Sequence, residues 1–85
     1  MQISLTTDGV SCVLKSVDNA SSNAFTVPAT AEAIKSAIVA LLSDPEARDM
    51  PNDQFRLERM RDGIRVHAGM GAFMVPYAHI FPLVA

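Results

Sequence analysis

The chain has few of the residues from which disulfides and metal centres are built. Its 85 residues include one cysteine, two histidines and no tryptophan. A single cysteine, Cys12, excludes an internal disulfide and a zinc site made of several cysteines. Two histidines and one thiol also fall short of the three or four ligands that zinc takes from a protein. We therefore expect no metal and no other cofactor.

Strong net charge and long apolar runs are missing as well. The formal net charge is −2 at pH 7, which argues against general binding of nucleic acid. No apolar run reaches the ~18 residues that a membrane-spanning helix needs. The N-terminal residues also lack the charged and apolar regions of a signal peptide. The sequence therefore predicts no contact with a membrane. The expected location is a reducing cytoplasm, such as that of a host cell, or a virion that is assembled there.

Motifs for phosphate binding and nucleophilic catalysis are absent too. There is no Gly-x-Gly-x-x-Gly and no Walker-type Gly-Lys-Ser/Thr sequence. The segment Gly69-Met70-Gly71 lies between two strand-like segments, which is typical of a hairpin turn. Cys12 has no supporting motif for a nucleophilic pair with His67 or His79. We expect a protein that is not an enzyme.

What is present is the composition of a small folded domain. Apolar residues make up 49% of the chain and charged residues 19%, proportions typical of globular rather than disordered proteins. The length predicts a single domain over residues 1–85. Such a chain buries only about 60–65% of its unfolded surface, so the core is expected to be modest.

The strongest secondary-structure signal is one helix over residues 30–43. Thr30 suits the N-cap position, and Pro45 ends the helix because it disfavours α geometry at Asp44. At 100° per residue the apolar side chains share one face, which we expect to form the core. This face contains Ala31, Ile34, Ala37, Ile38, Leu41 and Leu42.

The opposite face of this helix carries little charge. Val39 lies there among alanines and serines, and only Glu32 and Lys35 are charged. A solvated helix face usually carries more charge, although alanine is also simply a good helix former. Two interpretations follow. Either this face meets water, or a partner protein or a second copy of the chain covers it.

The rest of the chain alternates between short strands and turns. Apolar residues recur every second position, or bounded apolar runs occur, in several segments. These are residues 1–6, 10–17, 24–28, 55–60, 64–68 and 72–76. The pairs Asp8-Gly9 and Asp62-Gly63 predict hairpin turns, the first of type I′. A two-residue loop at Asp62-Gly63 would pair Leu57 with Ala68, Arg59 with Val66, and Glu58 with His67.

Turn residues and apolar content predict the conformation of the connecting segments and of the C-terminal end. Residues 18–23 predict a loop, and residues 44–53 predict a connector without a strand. Tyr77-Ala78-His79 predicts one tight turn, followed by an extended segment over 80–84 that Pro82 interrupts. Because free termini fray, so apolar an ending should be docked on its own sheet or on a neighbour.

Two parts of the chain look alike. The first contains Asp8-Gly9-Val10 and Ala24-Phe25-Thr26-Val27-Pro28, and the second contains Asp62-Gly63-Ile64 and Ala72-Phe73-Met74-Val75-Pro76. The likeness indicates either two three-stranded meanders around one helix or a chance similarity. The predicted fold is a small two-layer α+β domain with a mostly antiparallel sheet of about five or six short strands and one central helix near 30–43.

Basic residues concentrate at the second hairpin. Four arginines lie close together there, and Glu58 and Asp62 offset half of their charge. The arginines are Arg56, Arg59, Arg61 and Arg65. They predict either a solvated hairpin with cross-strand pairs or a contact patch for an acidic protein surface or a phosphate group.

Methionine and aromatic residues gather in the same half of the chain. Met60, Met70 and Met74 all lie in this half, and Tyr77 and Phe81 follow them closely. Methionine adapts both to cores and to interfaces. Together with Val39 and the four arginines, Met74, Tyr77 and Phe81 are the candidate protein-interaction residues.

The C-terminal third of the chain consists of a strand, the Asp62-Gly63 turn, a second strand and then Val75-Pro76-Tyr77. This pattern resembles the endings of small phage-encoded accessory proteins. Such proteins are often inhibitors of host machinery or small structural parts of virions, and the resemblance implies no role for any single residue.

These features lead to one main functional hypothesis. The chain is expected to be a non-enzymatic protein-binding module that occupies a partner's surface, as an inhibitor does, or assembles with copies of itself. One alternative is a small structural protein of virion assembly. Another is a binder of a phosphorylated ligand or nucleic acid through the arginine hairpin.

Overall fold

The computed structural model describes residues 2–84, which form two antiparallel sheets and two helices. The first sheet contains β1 (Gln2–Asp8), β2 (Ser11–Val17) and β3 (Ser22–Val27). The second contains β4 (Asp49–Pro51), β5 (Arg56–Arg59), β6 (Gly63–Ala68) and β7 (Gly71–Pro76). The helices are α1 (Ala31–Ser43) and α2 (Ile80–Val84), and a 3₁₀ turn at Tyr77–His79 leads into α2.

The α+β class with mostly antiparallel strands is confirmed, but the predicted element count is wrong. Within residues 2–84 there are seven strands in two sheets and two helices, where the sequence predicted about five or six strands and one helix. Met1, the predicted first position of β1, lies outside the described residues.

In both sheets each strand pairs with its neighbour in sequence. The first sheet has the order β1-β2-β3 and the second β4-β5-β6-β7. The central position of β2 agrees with its apolar character on both faces. Cys12 and Leu14 are fully buried, whereas Val10, predicted to share their face, is 87% exposed in the turn before β2.

The first two turns of the chain differ in detail from the prediction. Gly9 has φ +66° but Val10 has no positive φ, so the turn is not of type I′, which needs positive φ at both central residues. Val17 pairs with Ser22, so β3 begins earlier than predicted and the loop shortens to residues 18–21.

The second hairpin is displaced by two residues from the predicted register. Leu57 pairs with Val66 and Arg59 with Ile64, and the Met60 N–H donates to the Gly63 carbonyl at 2.8 Å. The turn therefore consists of residues 61–62, not 62–63. Because side chains alternate with period two, a two-residue shift keeps every side chain on its predicted face. This is why Leu57 is buried as expected.

Helix α1 has the predicted start, end and inner face. The Thr30 Oγ1 accepts a hydrogen bond from the Ala33 N–H at 3.2 Å, and Asp44 is the C-cap residue. Ala31, Ile34, Ile38 and Leu41 are buried. Leu42 is the exception, since it is 38% exposed at the edge of the predicted core stripe.

The segment before β5 and the segment after β7 contain secondary structure that the sequence did not predict. Strand β4 lies in the predicted connector and pairs with β5. The C-terminal end forms α2 instead of an extended segment, since Pro82 falls in its first turn, where a missing N–H is tolerated. Ile80 and Leu83 are buried in the core, so the predicted docking of the end is confirmed.

The two similar parts of the chain each contribute a three-stranded meander, β1–β3 and β5–β7, but their Asp-Gly motifs differ in position, since Gly9 lies in the turn before β2 and Gly63 is the first residue of β6. Val27 pairs with Cys12, and Val75 with Ile64; all four residues are buried. Phe25 and Phe73, from the matching Ala-Phe-x-Val-Pro segments, stack with ring centroids 6.1 Å apart and an interplanar angle of 27°. Each meander ends at a proline that leads into a helical segment.

Both sheets and both helices share one core. The buried apolar cluster includes Leu14 from β2, Ile38 from α1, Val66 from β6 and Leu83 from α2. None of the helices in residues 2–84 has the length and apolar character needed to cross a membrane.

Candidate protein-interaction surface

The outer face of α1 carries little charge, with Glu32 the only ionisable residue among its exposed side chains. Its inner stripe is taken up by the core, which turns Ala33, Val39 and Ala40 outward. Val39 is 48% exposed. The Ser43 hydroxyl donates to the Val39 carbonyl at 2.7 Å, so this serine satisfies its donor within the helix. Apart from Glu32, the exposed side chains of α1 are small or apolar.

A shallow groove runs along this face, and the end of α2 forms one of its walls. Its volume is about 380 Å³, and it is lined by Lys35, Ser36, Val39, Ala40 and Val84. Lys35 is the only charged residue among these five. The sequence pointed to Val39 and Ala40, but not to Val84. Val84 reaches α1 only because residues 80–84 are helical. The one sign of this helix in the sequence was the three-residue spacing of the apolar residues Ile80 and Leu83.

Phe81 extends this apolar surface. It is 82% exposed, and it precedes Val84 by three positions in α2. Residues three apart lie side by side on a helix, so Phe81 adjoins the wall of the groove. We call the surface formed by Val39, Ala40, Phe81 and Val84 the α1/α2 surface.

Two other predicted interaction residues lie elsewhere. The Tyr77 hydroxyl donates to the Met60 carbonyl at 2.7 Å, and its N–H donates to the Asp62 carbonyl at 3.2 Å. Tyr77 thus holds the turn of the second hairpin. Met74 is half-buried on β7, where it pairs with Arg65 of β6. Neither residue lines the α1/α2 groove.

The four arginines of the predicted patch point to different parts of the molecule. Arg59 lies on the same face of β5 as buried Leu57, and its guanidinium donates to the carbonyl oxygens of Leu41 and Asp44, the latter at 2.9 Å. It therefore binds the end of α1. Arg61 is exposed in the hairpin turn.

Arg56 and Arg65 lie on the outer face of the second sheet among acidic residues. Arg56 approaches Asp49 at 3.8 Å and Glu58 at 3.9 Å, and Arg65 pairs in register with Glu58. These two cations face two anions, so this face has no excess of positive charge. The arrangement corresponds to the solvated hairpin rather than to a concentrated phosphate site.

The predicted contact between Glu58 and His67 is present. The Glu58 Oε1 lies 2.9 Å from the His67 Nε2, although His67 pairs in register with Arg56. The hydrogen bond from His67 and the nearby charge of Arg56 lower the pKa of the Glu58 carboxyl, against a smaller opposing effect of burial. Both residues are partly accessible, so the contact is a surface network.

The remaining candidates for site chemistry are metal-ligating groups and the Cys12 thiol. Residues 2–84 contain no group of three or more His, Cys, Asp or Glu side chains that could hold a metal ion. Cys12 is buried in the first sheet, and burial raises the pKa of its thiol. A thiol of this kind is less reactive because the thiolate is the nucleophilic form.

Comparison of the chain with protein-family models, with curated proteins and with solved structures finds no match.

Proposed function

We propose that this chain is a non-enzymatic protein-binding module that contacts its partner through the α1/α2 surface. The supporting observation is the groove beside Val39 together with the exposed Phe81. Centres of protein interfaces are depleted in charge and enriched in aromatic residues. A largely exposed phenylalanine next to a groove with one charged lining residue matches that composition.

The proposed partner is a protein that offers a pocket for Phe81 and an apolar side chain for the groove. Binding of this kind would let the module occupy a partner's surface, as a small inhibitor does. Assembly with further copies of the chain, as in a structural part of a virion, would cover the same surface. The buried free thiol of Cys12 fits work in a reducing cytoplasm.

Two matched glutamate variants test the proposal. Val39→Glu places a charge in the α1/α2 surface, whereas Thr26→Glu places one on the outer face of β3, away from it. Circular dichroism first establishes that both variants fold. Light scattering of the wild-type protein at rising concentration then shows whether copies associate. Capture from extracts of the native cell follows, with each bound protein confirmed by titration against purified components.

The expected result is that Val39→Glu weakens binding at least about tenfold, since a charged side chain must lose its water when the interface forms, while Thr26→Glu binds as the wild type does. A wild-type protein that stays monomeric, and whose bound proteins are equally retained by both variants, would refute the proposal.

A further inference from the structure

The two sheets part along a seam between their edge strands, β3 and β7. Each is the last strand of its sheet, and within residues 2–84 no backbone hydrogen bond joins them. They meet through the stacked rings of Phe25 and Phe73. Sheet hydrogen bonding therefore stops where the two meanders meet.

A cleft of about 400 Å³ opens at this seam. Its walls come from β1, β2, β3 and β7. The residues that give it its chemical character are Ile3, Ser16, Asn23, Phe25, Phe73 and Met74. The volume lies within the range of small-molecule sites, and polar and apolar groups share the lining.

The polar groups of the cleft converge. Ser16 and Asn23 pair in register on β2 and β3, so their side chains leave the sheet side by side. Neither side chain has a hydrogen-bond partner among residues 2–84. A hydroxyl and an amide offer both donors and acceptors. They could bind the polar edge of a ligand.

The apolar wall favours a flat ligand without charge. Phe25 and Phe73 are only half-buried, and aromatic rings prefer to stack with an offset on a further ring. No residue that lines the cleft is ionisable. A buried ionic ligand would find no counter-ion there, and an unpaired charge is costly to desolvate.

We propose that the seam cleft binds a small, planar, uncharged aromatic molecule that has a hydrogen-bonding edge. The ring lies against Phe25 and Phe73, and the polar edge meets Ser16 and Asn23. This site is separate from the α1/α2 surface and does not depend on its role.

Indole is a suitable probe because it is flat and uncharged and has one N–H donor. Titrated into the ¹⁵N-labelled chain, it is expected to bind with a dissociation constant of roughly 1 mM. Amide signals of Ser16, Asn23 and Phe73 should shift, and that of Val39 should not. Cyclohexanol, which is polar but not flat, should bind at least about fivefold more weakly because it cannot stack.

Two phenylalanine variants of β3 complete the test. Asn23 lines the cleft and Thr26 does not, so Asn23→Phe should weaken indole binding at least about tenfold by filling the space, and Thr26→Phe should leave it within about twofold. If Asn23→Phe does not fold, Asn23→Ala, which removes one polar group, should weaken binding about threefold to tenfold. Absence of saturable shifts, shifts centred on Val39, or equal losses in the cleft and control variants would overturn the proposal.

Discussion

Gly63 occupies a position in which no side chain fits. A Cβ there would lie 2.2 Å from the Val75 carbonyl oxygen and 2.8 Å from the Cα of Pro76. Gly63 does not have positive φ, so its role differs from that of a turn glycine. It permits the close approach of β6 to the end of β7.

We predict that Gly63→Ala lowers the free energy of unfolding by about 3 kcal/mol, because the added methyl meets backbone that cannot move away. Gly69→Ala is the matched control. Gly69 has φ +59° and open space around it, so only backbone strain of about 1 kcal/mol is expected. Urea denaturation of both variants measures the difference, and equal losses would contradict the role assigned to Gly63.

The Glu58–His67 contact predicts a pH dependence. The His67 hydrogen bond, aided by Arg56, lowers the pKa of Glu58 from its ordinary value of 4.5. The stabilisation linked to this carboxylate is therefore present above about pH 4.5 and is lost as the pH falls through the depressed value. His67→Val removes the hydrogen bond and should raise the pKa of Glu58. ¹³C NMR titration of the Glu58 carboxyl in both proteins measures the change, and an unaltered midpoint would refute the assignment.

At the scale of elements, α1 is held at both ends by equivalent strands. The Thr7 Oγ1 accepts from the Ala31 N–H at 3.3 Å, and Arg59 donates to the last carbonyls of the helix. Thr7 and Arg59 occupy matching positions, since Thr7 pairs with Cys12 and Arg59 with Ile64. The two meanders thus bind opposite ends of the same helix.

We predict that Arg59→Met destabilises the fold by about 1–3 kcal/mol, since it removes charged donors from the negative end of α1. Arg61→Met, which alters an exposed arginine two residues away, should change stability by no more than about 0.5 kcal/mol. Both free energies of unfolding come from urea titration. If the two variants lose the same amount, Arg59 does not hold α1.

The two adjacent leucines of α1 test which face is buried. Leu41 is fully buried and Leu42 is 38% exposed. Leu41→Ala should cost about 2–5 kcal/mol because it removes buried methyl groups and leaves a cavity. Leu42→Ala should cost under about 1 kcal/mol, since the side chain is already partly in water. A larger loss for Leu42→Ala, by thermal or urea unfolding, would mean that the inner face is misplaced.

At the scale of the whole molecule, the shared core predicts a single cooperative unfolding step. Cys12 reports on the first sheet through labelling of its buried thiol, and Tyr77 reports on the second hairpin through its fluorescence. Their urea transitions should coincide, because side chains from both sheets pack in one cluster. Separate midpoints would show that the meanders unfold independently. Background labelling is measured with Cys12→Ala.

The helix caps and the buried faces, which depend on residues close together in the chain, were predicted correctly, whereas the local turn signals at Asp8-Gly9 and Asp62-Gly63 gave the wrong turn type and the wrong turn position. Thr30 and Pro45 define the ends of α1 through local capping and backbone preferences. The buried face of α1 follows from its 3.6-residue period, and the inner faces of the strands follow from alternation. These signals lie within a few residues of the element that they specify.

Features that depend on contacts between residues far apart in the chain could not be predicted from local sequence patterns. Strand β4 has three residues and forms because β5 offers it an edge. The second hairpin turns at Arg61-Asp62, which places Gly63 where a side chain would meet the Val75 carbonyl, a contact between β6 and β7. Arg59 turned out to bind α1 since the helix ends directly above β5, which no local pattern reveals.

By itself, then, the sequence determined one capped amphipathic helix, a mostly antiparallel set of short strands and a weakly charged outer face on α1. The tertiary structure decided what these surfaces adjoin: Val84 and Phe81 beside Val39, and the open seam between Phe25 and Phe73. The physical reason is that periodicity specifies which side of an element is apolar, whereas grooves and clefts form only where elements distant in the chain pack against one another.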